Sequence, residues 1–300
     1  MIRTTELTKI FDGYKALDAF SSTIPDGSIY GLVGSNGSGK STLLRLLSGI
    51  YYPDAGKVEI DGEEPFENTG TKSKVFHVAD DLYFLPQSNM DEMAAFYARM
   101  YTGFDAQVYA QMKERFPIDS AKRINTFSKG MKRQVSLILA LSARPQVLLL
   151  DEAFDGLDPV IRSMLRKILA DQIAERNMTV IIASHNLREL EDLCDCLGLL
   201  HQGRIVFQKE IDEVKLGFCK VQAGFRQMPS VDTLREKLQI MQLEQAGSVL
   251  NMVVRGTGGE ILSFLDTLDP LFAETVPLTL EEVFIHEMEV VGYDYNKIIF

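Results

Sequence analysis

Gly34-Ser35-Asn36-Gly37-Ser38-Gly39-Lys40-Ser41 is a glycine-rich turn ending in a lysine and a hydroxyl, and the residues on either side define its setting. Residues 29–33 form an apolar β-type run before it. Leu43, Leu44, Leu46, Leu47 and Ile50 recur at helical spacing after it. The unit is strand, loop, helix. Glycines let backbone N–H groups curl around an anion. The helix turns its positive N-terminal end toward the same anion. Lys40 adds a mobile ammonium for the β- and γ-phosphates of a nucleotide, and Ser41 a hydroxyl for Mg2+. The candidate phosphate-binding residues are therefore Gly34, Ser35, Asn36, Gly37, Ser38, Gly39, Lys40, Ser41 and Thr42. A chance glycine-rich turn would lack the flanking strand and amphipathic helix.

Two further stretches point to the same place. Leu148-Leu149-Leu150-Asp151-Glu152 is an apolar strand ending in two carboxylates. Such a strand delivers them to the C-terminal edge of an open α/β sheet, where ligands bind. Asp151 is a candidate Mg2+ ligand, and Glu152 a candidate general base for an attacking water. Ser184-His185 follows the buried-strand stretch 179–183. A parallel neighbouring strand would bring His185 to the same edge, beside a γ-phosphate.

Farther out, strands and helices alternate across 25–210, which predicts a mostly parallel sheet with helices on both faces. Residues 57–60 read as a strand closed by the Asp61-Gly62 turn, and residues 128–141 and 159–176 as helices. From 89 to about 116 the pattern is helical, with Met93, Phe96, Tyr97, Met100 and Tyr101 on one face. That stripe suits a core or a pliable docking surface. After about 215 the character changes. Short strands are expected at 221–225, 250–254 and 272–276, and helices at 231–238, 260–268 and 279–289. Residues 217–300 read as a small α+β accessory domain.

Composition agrees with two domains. The chain has 300 residues, more than one core usually needs. Hydrophobic residues are 46% and charged residues 24%, as in soluble globular proteins. The fully apolar runs are a few residues long, whereas a spanning helix needs about 20. The N-terminus shows no signal-type apolar region. Forty-two acidic against 31 basic residues leave a net charge of −11. That argues against nucleic acid and against adhesion to anionic lipid, so a membrane association is expected to run through a protein partner. Cys194, Cys196 and Cys219 lack zinc-site spacing and read as reduced thiols.

With these motifs in order, residues 1 to about 210 resemble the ATP-binding cassette (ABC) ATPase family. Phe127-Ser128-Lys129-Gly130-Met131 resembles the family's Leu-Ser-Gly-Gly-Gln signature. There the signature opens a helix that caps the γ-phosphate bound by a second subunit. Ser128 is a good N-cap, so the helix dipole would point at that anion. The resemblance implies a dimer with two ATP molecules at its interface, contacted by Ser128 and Gly130. It places Phe11 where the family stacks an aromatic on adenine, with Tyr14 a poorer candidate. Gly156-Leu157-Asp158-Pro159 matches the segment that crosses the interface, where Asp158 communicates between sites. His185 matches the switch histidine. Asp80 stands where the family usually has Gln or Glu near the metal. Phe127, Lys129 and Met131 depart from the signature, and Ala153 replaces a frequent Pro.

The resemblance implies an α/β fold: a P-loop NTPase core with a mostly parallel sheet, an antiparallel β subdomain and a helical subdomain at about 81–143. The ATPase domain would span 1–216, with the α+β domain after it. The implied function is the ATP-binding and ATP-hydrolysing subunit of an ABC transporter, working on Mg2+ and ATP through Lys40, Glu152 and His185. Its expected partners are a second ABC subunit and a separate membrane permease, which would hold it at the cytosolic face of the membrane. Pro277-Leu278-Thr279-Leu280-Glu281-Glu282-Val283-Phe284 looks like the tail of bacterial exporter-type cassettes, which favours export. A soluble ABC ATPase serving as an assembly or scaffold factor is the main alternative. A nucleic-acid-linked member is disfavoured by the acidic charge. A kinase-like P-loop transferase would not predict Ser128-Lys129-Gly130 upstream of Asp151-Glu152.

Overall fold

The computed structural model describes residues 1–191 and 193–282. The chain divides into two compact units, one from Met1 to Gln208 and a second beginning at Lys209. In the first unit, strands β1 (Ile2–Phe11), β2 (Tyr14–Ile24) and β3 (Ile29–Val33) precede helix α1 (Lys40–Leu47). β4 (Ala55–Ile60), α2 (Thr69–Lys72) and β5 (Val75–Val78) follow. Next come α3 (Met90–Met100), α4 (Ala106–Arg115) and α5 (Lys129–Ser142), then β6 (Val147–Asp151), α6 (Pro159–Arg176) and β7 (Thr179–Ser184). The unit closes with α7 (Leu187–Glu191), β8 (Cys196–His201) and β9 (Arg204–Glu210), which contains the junction.

β3, β6 and β7 are buried along their whole length, as strands covered on both faces must be. They lie in a six-stranded sheet of order β5-β6-β7-β3-β8-β9. β3 pairs in parallel with β7 and β8, and β6 with β5 and β7. Val33 sits opposite Ser184, and Asp151 opposite Ala183. The strand ends that precede the phosphate loop, Glu152 and His185 therefore share one edge. This is the sheet arrangement the alternating pattern predicts.

A second, antiparallel sheet has the order β2-β1-β4. Its Leu7, Leu17 and Phe20 share a core with Leu43, Leu44 and Leu47 of α1 and with Tyr30, Leu149 and Ile181 of the large sheet. The helical stretch after residue 89 is broken in two. α3 begins with a capping box between Asn89 and Glu92, and α4 begins at the Asp105 cap, which accepts from Gln107 and Val108.

The second unit begins at Lys209 and already contains α8 (Ile211–Leu216), so it starts ahead of the boundary expected after residue 216. It continues through β10 (Phe218–Gly224), α9 (Val231–Lys237), β11 (Gln239–Ala246), β12 (Val249–Arg255), α10 (Gly258–Asp266) and β13 (Phe272–Val276). The order β11-β12-β10-β13, antiparallel throughout, is a ferredoxin-like βαββαβ arrangement. Val221, Phe225, Leu250 and Met252 form its core with Leu234 of α9 and Leu265 of α10. β11 was not anticipated. Its Gln- and Glu-rich sequence lies at the sheet edge, where polar side chains are tolerated. The helix expected at 279–289 and the tail motif through Phe284 extend outside the described residues. Among the described residues, Cys194, Cys196 and Cys219 form no disulfide.

Leu149 is fully buried in the middle of β6, between His77 and Ile181 on the neighbouring strands. Leu149→Ala should destabilise the first unit by about 2–5 kcal/mol, read as an earlier urea transition by circular dichroism.

Candidate functional site

β3 is rigid because it is buried, and the chain leaves it at Gly34. The loop re-enters helix at Gly39, whose φ is +112°. A Cβ there would stand 2.4 Å from the Ala16 carbonyl oxygen, so both backbone angle and space demand glycine. Lys40 then folds back over the loop. Its Nζ donates to the carbonyl oxygens of Gly34 at 2.6 Å and Ser35 at 3.3 Å. It also lies 3.5 Å from Glu152 Oε1. Burial pushes the ammonium's pKa down, and the Glu152 and Asp151 carboxylates oppose that shift.

The loop forms part of a cleft of about 300 Å³ lined by Phe11, Tyr14, residues 36–42, Asp80 and Glu152. Phe11 is partly exposed and meets Tyr51 edge-on at 5.3 Å. Tyr14 is more exposed, and its hydroxyl donates to the Gly37 carbonyl at 3.4 Å. The Lys9 ammonium lies over the Phe11 ring, 5.4 Å from its centroid. Ser38 Oγ is buried without a protein partner.

Asp151 ends β6 almost out of solvent. Burial raises its pKa, and Glu152 and Asp80 raise it further, against a Ser41 hydroxyl bond and the Lys40 charge. Its Oδ1 has no protein partner. A desolvated carboxylate with an orphaned oxygen beside a hydroxyl fits a divalent cation. Among the described residues no three His, Cys, Asp or Glu side chains form an all-protein metal cage. Mg2+ bound with a nucleotide needs none, because phosphate and water supply most of its ligands.

Glu152 takes a left-handed backbone, φ +48°, which is costly for a residue with a Cβ. Its N–H donates to the Ala183 carbonyl at 2.9 Å. The carboxylate reaches across the strand ends, with Oε1 toward Lys40 and Oε2 2.9 Å from His185 Nδ1. His185 is brought there by β7.

Ser128, Gly130 and Asp158 are not among the described residues that line this cleft. Ser128 caps α5, accepting from the Met131 N–H at 3.2 Å. A Cβ on Gly130 would meet the Gly156 carbonyl oxygen at 2.9 Å, so the start of α5 packs against the 152–158 loop. Asp158 caps α6, accepting from the Ile161 N–H at 3.0 Å, with Pro159 in the first turn.

Asp80 lines the cleft, but its carboxylate accepts from Arg133 Nη2 at 2.7 Å. Arg133 belongs to no motif that marks it in the sequence. The signal was its position: Arg133 falls at helical spacing from Leu137 and Leu141 on the buried face of α5.

The sequence profile of the family described as ABC transporter matches residues 17–155. The ABC transporter ATP-binding protein YtrB of Bacillus subtilis (strain 168) is 34% identical over 285 residues, spanning 95% of this chain and 97% of YtrB. The bacitracin transport ATP-binding protein BcrA of Bacillus licheniformis is 31% identical over 229 residues, 72% of this chain and 71% of BcrA. Among solved structures, an ATP-binding subunit of an ABC transporter superposes with a TM-score of 0.66 at 23% identity, over 72% of this chain and 92% of that one. A dimeric cassette in a post-hydrolysis state with ADP and Pi superposes at 0.62 and 20% identity, over 70% of this chain and 99% of that one.

The raised pKa of Asp151 means its ionised form is disfavoured in the fold, so its contribution to stability is lost as pH rises through the raised value. Asp151→Asn should therefore raise the melting temperature at neutral pH by a few degrees, about 2–4 °C per kcal/mol relieved, while removing the Mg2+ enhancement of ATP binding. Calorimetry and ATP titrations with and without Mg2+ check both halves.

Proposed function

This chain belongs to the ABC transporter family as one of its ATP-binding cassettes, and from that premise we propose that it is the motor of a transporter whose pore is a separate polypeptide. ATP binding and hydrolysis come with the family. The observation that carries the site assignment is the Glu152 carboxylate, shared between Lys40 at 3.5 Å and His185 at 2.9 Å at the mouth of the phosphate cleft.

Residues 34–42 wrap the nucleotide phosphates, with Lys40 on the β- and γ-groups and Phe11 against the adenine. Ser41 and Asp151 hold Mg2+, which supplies charge neutralisation on the phosphates when bound. Glu152 orients the attacking water and accepts its proton. His185 contacts the Glu152 carboxylate through Nδ1 at 2.9 Å and helps steady charge at the γ-phosphate. Most of the rate comes from positioning and electrostatics rather than covalent chemistry.

Ser128 and Gly130 at the start of α5, and Asp158 at the start of α6, face a second cassette. Each nucleotide then lies between the 34–42 loop of one copy and the α5 start of the other. The permease docks on the exposed apolar side chains Tyr83, Leu85, Phe96 and Met100, which cluster in sequence after Asp80. No described helix is long and apolar enough to cross a membrane, so this contact is the chain's proposed route to the cytosolic face. The tail likeness favours export, and the net charge of −11 disfavours nucleic acid. A soluble cassette without a pore is the competing reading.

Glu152→Gln should slow phosphate release by about 10²-fold or more while leaving ATP binding intact. Wild-type-like turnover in that variant would remove Glu152 from the chemistry. Co-expression with a polytopic membrane partner should carry the chain into the membrane fraction. Tyr83→Asp and Met100→Asp should return it to the soluble fraction with ATP affinity unchanged, whereas purely soluble behaviour beside its native partners would favour the cassette without a pore.

A further inference from the structure

Arg133 is among the most deeply buried large side chains, and it is charged. Its side chain is 2% exposed, while that of its partner Asp80 is 56% exposed. Nη2 donates to Asp80 Oδ1 at 2.7 Å and lies 3.7 Å from Asp155 Oδ2. Nε and Nη1 have no hydrogen-bond acceptor. A buried guanidinium with so few acceptors depends heavily on the counter-charges it has. Asp155 is the farther of the two and also serves Lys129 at 3.4 Å. Asp80 is thus the main counter-ion of Arg133, and it is also a wall of the phosphate cleft.

These two demands compete. A carboxylate swung toward a cation in the cleft would give up Arg133, leaving a buried charge short of its partner. A carboxylate held by Arg133 is already paired, though its charge is still felt at Asp151. We propose that Arg133 is a positioning residue that withholds Asp80 from the metal site, so that the metal dependence of ATP binding rests on Ser41 and Asp151. This departs from the sequence expectation for Asp80, and it rests on the placement of ATP in the 34–42 cleft. Arg133 also ties α5 to the 152–158 loop through Asp155. One buried side chain therefore links the metal side of the cleft to the helix whose start faces a second copy.

The test is the ratio of ATP affinity in saturating Mg2+ to that in EDTA, measured with a fluorescent ATP analogue. Asp80→Asn should leave the ratio within about twofold of wild type while lowering the melting temperature, because Arg133 loses its main counter-charge. Arg133→Gln should raise the ratio about fivefold or more, since the freed carboxylate becomes available to the cation. The double variant should return to within about twofold of wild type. A fall in the ratio with Asp80→Asn makes Asp80 a direct metal ligand and overturns the proposal. So does an unchanged melting temperature in that variant, or a raised ratio that persists in the double. Should Arg133→Gln fail to fold, Asp80→Asn still decides, because its side chain is largely exposed. Lys40→Ala separates the two levels. If it leaves ATP binding untouched, the site assignment fails; if it abolishes binding, only the Arg133 inference is at stake.

Discussion

The Lys40 ammonium sits almost out of solvent between two loop carbonyls and the Glu152 carboxylate, and the geometry of the site follows from keeping it there. A buried cation is stable only among oriented dipoles and counter-charges. The dipoles come from a loop anchored on a buried strand, and the counter-charge from a residue held in a strained backbone at the end of another. The same environment that depresses the lysine's proton affinity raises that of Asp151. In the site as proposed, both groups are set apart from water by the fold itself, which is the kind of preorganisation that electrostatic catalysis relies on.

Much of this was legible because the residues involved obey strong local rules. The runs 147–150 and 180–183 are apolar without alternation, and both became strands buried on two faces. The loop from Gly34 to Ser41 needs glycine for reasons that leave a mark in sequence. β11 left no such mark, because an edge strand with polar side chains looks like a loop. Arg133 left a weaker mark. A charged residue on the apolar face of α5 is visible in the pattern, but its partner lies 53 residues earlier and only the fold brings it near. The positive φ of Glu152 was likewise invisible, since strand-end turns impose backbone angles that side-chain periodicity does not report.

Charge is arranged in pairs at differing depths. Arg133 is deep and Asp80 shallow; Glu189 is deep and Arg162, 3.3 Å away, shallower. Glu189 also accepts from the Ser184 hydroxyl, one residue before His185. The loop that ends in Asp158 and the turn that carries His185 are thus tied by one ionic contact, because Arg162 Nε donates to the Leu157 carbonyl. The 152–158 loop and the His185 turn are thus held by charged residues that do not line the cleft.

Ser128 and Asp158 each use a side-chain oxygen to satisfy a backbone N–H of their own helix. A hydroxyl or carboxylate oxygen has more than one lone pair, so capping does not exhaust either group. Both helix starts are consequently frozen before any second copy arrives. In a cassette pair built as proposed, the ordering entropy of these contact points has been spent during folding rather than at assembly. Association and separation can then respond to the nucleotide alone, which is what a cyclic machine requires of the surfaces it opens and closes.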